Sequence, residues 1–372
     1  MTAPAGAAAW LRPRREILAW ALGSRAVVLA CVLIAQRLRW PRGFFGPEFA
    51  HPFGFLASWD GGWYETVAAR GYLLVPAHAS DPAFFPLFPI LLRTLHATGL
   101  SYRAAGVLVA NLAFVAALLA FYDLGRELLP ERDARRAAVY VALFPMGFVF
   151  SMAYPESLVL AAIALAARFA LRGHWTAAAV SGAVAALARP EGLFYALVLA
   201  AIALRRWHGL SHAERGRALG AVFAPAAALL TYPLYLSWSL QNVHAWTWAQ
   251  RAWGRSFQAD GLVLAFVHLP LALHQHPWLV RDLVFASLYV LLLAVAWRAG
   301  VPAIWVFVGA LILFLPLWSG SFTSEARFGL LALPVYWGLA VLGRRRAVGL
   351  ALPAVSLLLL AAGTLTLPLA FP

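Results

Sequence analysis

The sequence predicts an all-α, polytopic membrane protein, and three observations predict it. Of 372 residues, 63% are hydrophobic and 12% charged, where soluble domains run at roughly half and about a quarter. Many windows exceed the ~18 consecutive apolar residues that suggest a spanning helix. The period-2 alternation of a membrane barrel is not seen. The whole chain, 1–372, reads as one integral membrane domain.

We expect about 11 spans, within a range of about 10–12, because several runs are short for a ~30 Å hydrocarbon core. Span 1 covers 17–36, behind Arg12, Arg14 and Arg15. No small-residue cleavage pattern follows it, so it is expected to be retained. A long interval of moderate hydrophobicity, residues 37–103, comes next. Spans 2 to 6 cover 104–122, 137–150, 158–171, 175–188 and 193–204. Span 7 covers 218–236 and precedes a second long interval, 237–282. Spans 8 to 11 cover 283–297, 302–318, 328–342 and 347–369.

All 29 basic residues are arginine, and the net charge is +14. In such a chain the charge says little about nucleic acid, and no nucleic-acid partner is expected. Arginine without lysine, beside abundant alanine, suggests a GC-rich bacterial genome and hence a bacterial plasma membrane. The single Cys31 falls in span 1 and reads as a small buried hydrophobe, so disulfides are excluded. Arginines crowd the short segments 12–15, 126–136, 205–217 and 344–346. By the positive-inside rule these segments and the N-terminus are cytoplasmic. The polar intervals around Asp60, Glu156, Arg189, Arg255 and Arg327 then share the extracytoplasmic face.

Ser58-Trp59-Asp60-Gly61-Gly62-Trp63-Tyr64-Glu65 lies in the first long interval. Asp60 has no basic residue within nine positions on either side. As an N-cap it suits a helix over about 61–70, with Gly71 just past its end. As a reacting group it has glycines behind it that let another molecule approach the backbone. Both readings stay open on residues alone. Phe84, Phe85 and Phe88 are either an interfacial anchor or the wall of a lipid-chain groove. Pro155-Glu156 and Pro190-Glu191 suit helix initiation. They equally suit a site in which Glu156, Arg189 and Glu191 face a ligand. Outward helix N-termini favour a bound phosphate there, and Arg255 and Arg327 add charge-assisted contacts. Trp246, Trp248 and Trp253 offer either anchoring or stacking on a sugar ring. His268, His274 and His276 are a weak metal pattern. Arg25 and Arg168 fall inside apolar spans, where an arginine is functional, snorkelling or paired.

Taken together, these motifs resemble a known family. Residues 58–72, with Ala83-Phe84-Phe85-Pro86-Leu87-Phe88-Pro89, resemble the signature of the PIG-V-type mannosyltransferases, the second GPI mannosyltransferases of eukaryotes and their bacterial relatives. Tyr154-Pro155-Glu156-Ser157-Leu158 and Leu187-Ala188-Arg189-Pro190-Glu191-Gly192 follow in the family's order. Residues 248–256 and 325–334 look like two further blocks. The likeness runs from about 56 to 334. Eukaryotic members tend to carry Ser-Asn where this chain has Pro190-Glu191.

The resemblance implies a GT-C-like bundle whose long first extracytoplasmic loop, 37–103, carries interfacial helices and the catalytic acid, Asp60. It implies a polyprenyl-phosphate-mannose donor, inversion at the anomeric carbon, and a glycan, glycolipid or protein acceptor. Trp59, Glu65, Glu156, Arg189, Glu191, Trp253, Arg255 and Arg327 are then expected at the substrate, and Phe84, Phe85 and Phe88 at the lipid. Some enzymes of this architecture use a divalent cation. Only Glu65 or Asp81 offers Asp60 a second acid, so metal dependence stays open and no cofactor is assigned. The competing class is a transporter or flippase, which calls for paired broken helices and mid-membrane polar groups.

Overall fold

The computed structural model describes residues 5–40 and 46–369. Three pieces of the expected organisation lie outside the described residues: 1–4 of the basic N-terminus, 41–45 of the first long interval, and 370–372. Among the described residues, all regular structure is helical.

Five helices are long and apolar enough to cross a membrane: Pro13–Leu38, Tyr102–Leu128, His212–Ser239, Leu279–Arg298 and Arg346–Leu365. Counting each of two bent pairs as one span brings the number to seven among the described residues. Pro145–Ser151 turns by 95° into Glu156–Leu171, and Glu325–Leu331 turns by 86° into Leu333–Leu342. Each of the 11 expected runs overlaps a helix, but several are too short to cross alone. Trp175–Ala188 has 14 residues, only about 21 Å of rise. Proline explains much of the breakage, since it opens the elements at Pro145, Pro190, Pro316 and Pro334 and supplies no donor to the preceding turn.

Helix Tyr102–Leu128 is the spine. Ser101 caps it by accepting from the Ala104 amide at 3.2 Å, and Glu156–Leu171 packs along it. Gly106 permits the closest approach. A Cβ there would fall 2.7 Å from that of Ala153, so this glycine lets the turn before Glu156 lie against the spine. Trp175–Ala188 packs between Glu156–Leu171 and His212–Ser239. The last of these starts in a capping box of Ser211 and Glu214, which satisfies two orphan amides reciprocally. Outward leucines such as Leu22, Leu230, Leu234 and Leu358 are exposed, the pattern of side chains that face hydrocarbon.

The two intramembrane arginines resolve differently. Arg168 pairs with Asp123 at 3.2 Å. Arg25 does not snorkel, and it pairs with no acid among the described residues. It is buried, donates to the Gly147 carbonyl at 2.7 Å and to Ser151 Oγ at 3.0 Å, and lies 4.1 Å from the Phe114 ring centroid. It thus satisfies acceptors near the bend between the two helices of the first broken pair.

Candidate active site

Asp60 is the first residue of helix Asp60–Arg70, not its cap. The capping expectation fails because no side-chain cap bond is made at this end. The carboxylate instead receives Arg327 Nη1 at 2.5 Å. Gly71 does end the helix, at φ +82°. The turn into the helix is strained. Trp59 has φ 59° and ψ −122°, outside the regions an L-residue adopts comfortably. Tyr154 clamps both sides of it. The Tyr154 hydroxyl accepts from the Asp60 amide at 3.1 Å and donates to the Ser58 carbonyl at 3.3 Å. The Trp59 indole donates to the Leu367 carbonyl at 3.3 Å.

Behind Asp60 runs a buried string of alternating charges. Arg327 Nε lies 3.6 Å from Glu156, which also receives Arg189 Nη1. Arg189 turns the rest of its guanidinium to Glu191 in a two-pronged contact, Nε at 3.1 Å and Nη2 at 2.8 Å. The pattern follows from desolvation: a buried charge is tolerable when a partner and hydrogen bonds replace its water. Burial pushes the Glu191 carboxyl upward, but the adjacent Arg189 outweighs it and holds the group below the usual carboxylate range. Gly192 makes this turn feasible, because a Cβ there would lie 2.4 Å from the Ala185 carbonyl carbon.

Arg255 is the exception. It donates to the Thr323 carbonyl at 3.0 Å and has no carboxylate within 4.0 Å among the described residues. Burial lowers its guanidinium to about 10, so it stays cationic at neutral pH. Three guanidiniums share the Phe328 ring, with Arg255, Arg189 and Arg327 at 5.0, 5.6 and 5.8 Å from its centroid. Such contacts contribute roughly 0.5–1 kcal/mol each.

These groups border a cleft of about 780 Å³, within the range of about 300–1,000 Å³ for ligand sites. Asp60, Arg189, Glu191, Arg255 and Arg327 line it. Its apolar wall contains an aromatic triad. Trp63 stacks on Phe84 at 5.7 Å, and Trp253 meets both edge-on at 5.3 and 5.5 Å. Trp253 also donates to the Ser80 carbonyl at 3.2 Å, and Gln250 to the Ala83 carbonyl at 3.3 Å. The second long interval is thereby docked on the first.

The structure brings together Trp59, Asp60, Arg189, Glu191, Trp253, Arg255 and Arg327, with Phe84 and Phe85 on the wall. Three expected residues stand elsewhere. Glu65 pairs with Arg103 at 2.8 Å and does not line the cleft; five residues of helix rotate it well away from the Asp60 face. Phe88 is fully buried against Tyr64. Glu156 is also fully buried and forms a second layer behind the arginines. Tyr64, Phe194, Gln250 and Phe328 line the cleft without having been foreseen. Tyr64, Gln250 and Phe328 lie inside the quoted blocks 58–72, 248–256 and 325–334, and Phe194 two residues past the block 187–192, but no residue-level signal singled them out.

A divalent cation does not fit this donor set. Asp81 accepts from the Leu73 amide at 3.2 Å and lies 3.6 Å from Arg70, and burial raises its carboxyl. Glu65 is engaged by Arg103, and the Asp60 carboxylate is engaged by Arg327. No group of three or more His, Cys, Asp or Glu is poised for a metal among the described residues. His276 instead lies against the Trp278 ring at 4.7 Å.

No family model and no curated protein matches the chain. Among solved structures, it is similar to the Archaeoglobus fulgidus oligosaccharyltransferase tethered with an acceptor peptide containing the NVT sequon (TM-score 0.45, 13% identity, 93% of this chain and 55% of that one). It is also similar to the oligosaccharyltransferase of that organism in complex with Zn and sulfate (0.42, 14%, 91% and 53%). A third is archaeal oligosaccharyltransferase AglB from Archaeoglobus fulgidus in complex with an inhibitory peptide and a dolichol-phosphate (0.40, 14%, 93% and 55%). The chain spans about half the length of these proteins.

Proposed function

We propose that the chain is a membrane glycosyltransferase that moves a sugar from a polyprenyl-phosphate donor to an acceptor hydroxyl. The observation that carries this reading is a carboxylate, Asp60, and a cation without a carboxylate partner, Arg255, on the walls of one aromatic cleft. A base and a phosphate site are the two groups that such a transfer needs. The PIG-V-type resemblance makes mannose the donor sugar and the plasma membrane of a bacterium the setting. The acceptor is then a glycan, glycolipid or protein on the extracytoplasmic side, where the positive-inside rule puts the cleft.

In the proposed step, the acceptor oxygen bonds to the anomeric carbon on the face opposite the phosphate ester, and configuration inverts. The hydroxyl proton passes to Asp60. The bond between the anomeric carbon and the phosphate oxygen breaks, and its electron pair leaves with the polyprenyl phosphate. Arg255 neutralises that growing charge. Arg189 is already committed to Glu156 and Glu191, so it serves better as scaffold than as phosphate ligand. Protonation of Asp60 loosens its hold on Arg327, which then adds to the field at the leaving group. Trp253 and Trp63 offer faces for sugar rings, and Phe84 and Phe85 border the path of the lipid.

The two broken helix pairs favour a second reading. Glu156 sits at one bend and Arg327 just before the other, and interrupted helices that converge on charged groups are also how transporters build substrate sites. Asp60→Asn separates the two. In membranes supplied with polyprenyl-phosphate-mannose, transfer should fall by about 10²–10⁴-fold, the usual contribution of general base catalysis, with the protein still folded. Undiminished transfer would sink the role of Asp60. Solute uptake with no transfer by the wild type would establish the transporter.

A further inference from the structure

The other end of the bundle holds a second charged cavity, of about 290 Å³. It lies where the start of the first spanning helix meets the C-terminal ends of Tyr102–Leu128 and Glu156–Leu171. Its lining is Arg14, Asp123, Arg126, Glu127 and Arg172. Glu156 opens its helix at the cleft, and Arg172 closes that helix here, so about 24 Å of helix rise separates the two sites.

The charges do not cancel. Asp123 receives Arg14 at 2.5 Å and Arg168 at 3.2 Å. Glu127 receives Arg172 at 2.6 Å. Arg126 has no carboxylate within 4.0 Å among the described residues; its guanidinium lies 5.8 Å from the Tyr122 ring centroid. Four arginines around two carboxylates leave two positive charges, and the surplus carboxylate that Glu16 and Glu131 leave on Arg135 offsets one of them. Glu131, which accepts from the Tyr122 hydroxyl, belongs with Arg135, as does Glu16. The buried Nε of Arg168 also lacks an acceptor among the described residues. The site is therefore a basic hollow between membrane helices with donor capacity to spare, the chemistry that holds anionic head groups at a cytoplasmic leaflet.

We propose that this cavity binds a phosphate group, with Arg126 as its direct contact and Arg14, Arg168 and Arg172 supplying the surrounding field. The phosphate comes either from an anionic lipid head group or from solution. This assignment stands apart from the chemistry at Asp60.

The full-length protein is placed in nanodiscs of phosphatidylcholine alone, of phosphatidylcholine with phosphatidylglycerol, and of phosphatidylcholine with added inorganic phosphate. Native mass spectrometry reads retained lipid, and thermal unfolding reads stabilisation. Preferential retention of phosphatidylglycerol makes the ligand a lipid. Stabilisation by inorganic phosphate, with no lipid preference, makes it a free phosphate. In either case Arg126→Gln should weaken the effect about fivefold, the factor one basic residue supplies at an anionic surface. Arg217→Gln, at an exposed arginine that does not line the cavity, should leave it unchanged. The proposal is overturned if neither phosphatidylglycerol nor phosphate changes anything. It is equally overturned if both variants lose the effect alike.

Discussion

Asp60 and Arg327 are 267 residues apart in sequence and meet at 2.5 Å. Arg327 also lies beside Glu156, so it is the keystone between the cleft and the buried charge string. Arg327→Ala should destabilise the protein by about 1–3 kcal/mol, because Glu156 keeps Arg189 but loses its second cation and Asp60 loses its partner. Asp60→Asn should cost much less, since Arg327 keeps Glu156. Denaturation of both variants in detergent checks this; equal losses would show that the string is not what stabilises this end of the bundle.

Arg255 carries the donor-binding prediction. Arg255→Gln should raise KM for the polyprenyl-phosphate donor by about 10-fold or more, the worth of a charged hydrogen bond, with little change in unfolding temperature. An unchanged KM would remove Arg255 from the phosphate site.

The same arginine gives a pH dependence. Its folded value, about 10, lies below the usual arginine range because burial disfavours the cation. Donor affinity should therefore decline as pH rises through about 10. Between about 10 and the higher arginine value of the unfolded chain, the unfolded chain binds the extra proton. Through this group alone, stability then rises with pH. KM measured across that interval should climb in the wild type and stay flat in Arg255→Gln.

Trp59 tests the strained turn. Trp59→Ala and Trp59→Gly both lose the indole and its bond to the Leu367 carbonyl. Only glycine is at ease at φ 59°, so Trp59→Gly should be more stable than Trp59→Ala by about 1–3 kcal/mol. Elsewhere in a helix start the order is reversed. Thermal unfolding of the pair decides it.

Gly62 is a different kind of glycine. A Cβ there meets nothing within 4 Å, and one at Gly61 meets only ordinary contacts at 3.5 Å and beyond. Neither is required by packing within the protein, which leaves approach of another molecule as the remaining role for these glycines. Gly62→Ala should stabilise the helix by roughly 0.5–1 kcal/mol. Impaired transfer in this variant would show that a substrate passes where the Cβ lies.

The membrane class was legible from apolar run lengths, and the boundaries of Trp175–Ala188 could be read directly. The partners at the site were legible as motifs: Trp59-Asp60, Pro155-Glu156, Arg189-Pro190-Glu191 and Arg327 all reach one charge cluster. Their pairing was not. Nothing local distinguishes Arg189, with two acids, from Arg255, with none, because that depends on which turns meet in space. Glu65 illustrates the opposite failure, since nearness in sequence suggested nearness to Asp60 where helical rotation forbids it. Span count was blurred because helices bent at Pro-rich turns leave runs of intermediate length.

The string Asp60–Arg327–Glu156–Arg189–Glu191 links neighbours through shared groups, so its members are not independent variables. Perturbations at its two ends should fail to add: the penalty of combining Asp60→Asn with Glu191→Gln should differ from the sum of the single penalties by about 0.5–3 kcal/mol. A lineage that changes one member therefore alters the cost of changing every other. Substitutions along this string are expected to be tolerated in sets rather than singly, a form of epistasis built into the packing of two broken helices.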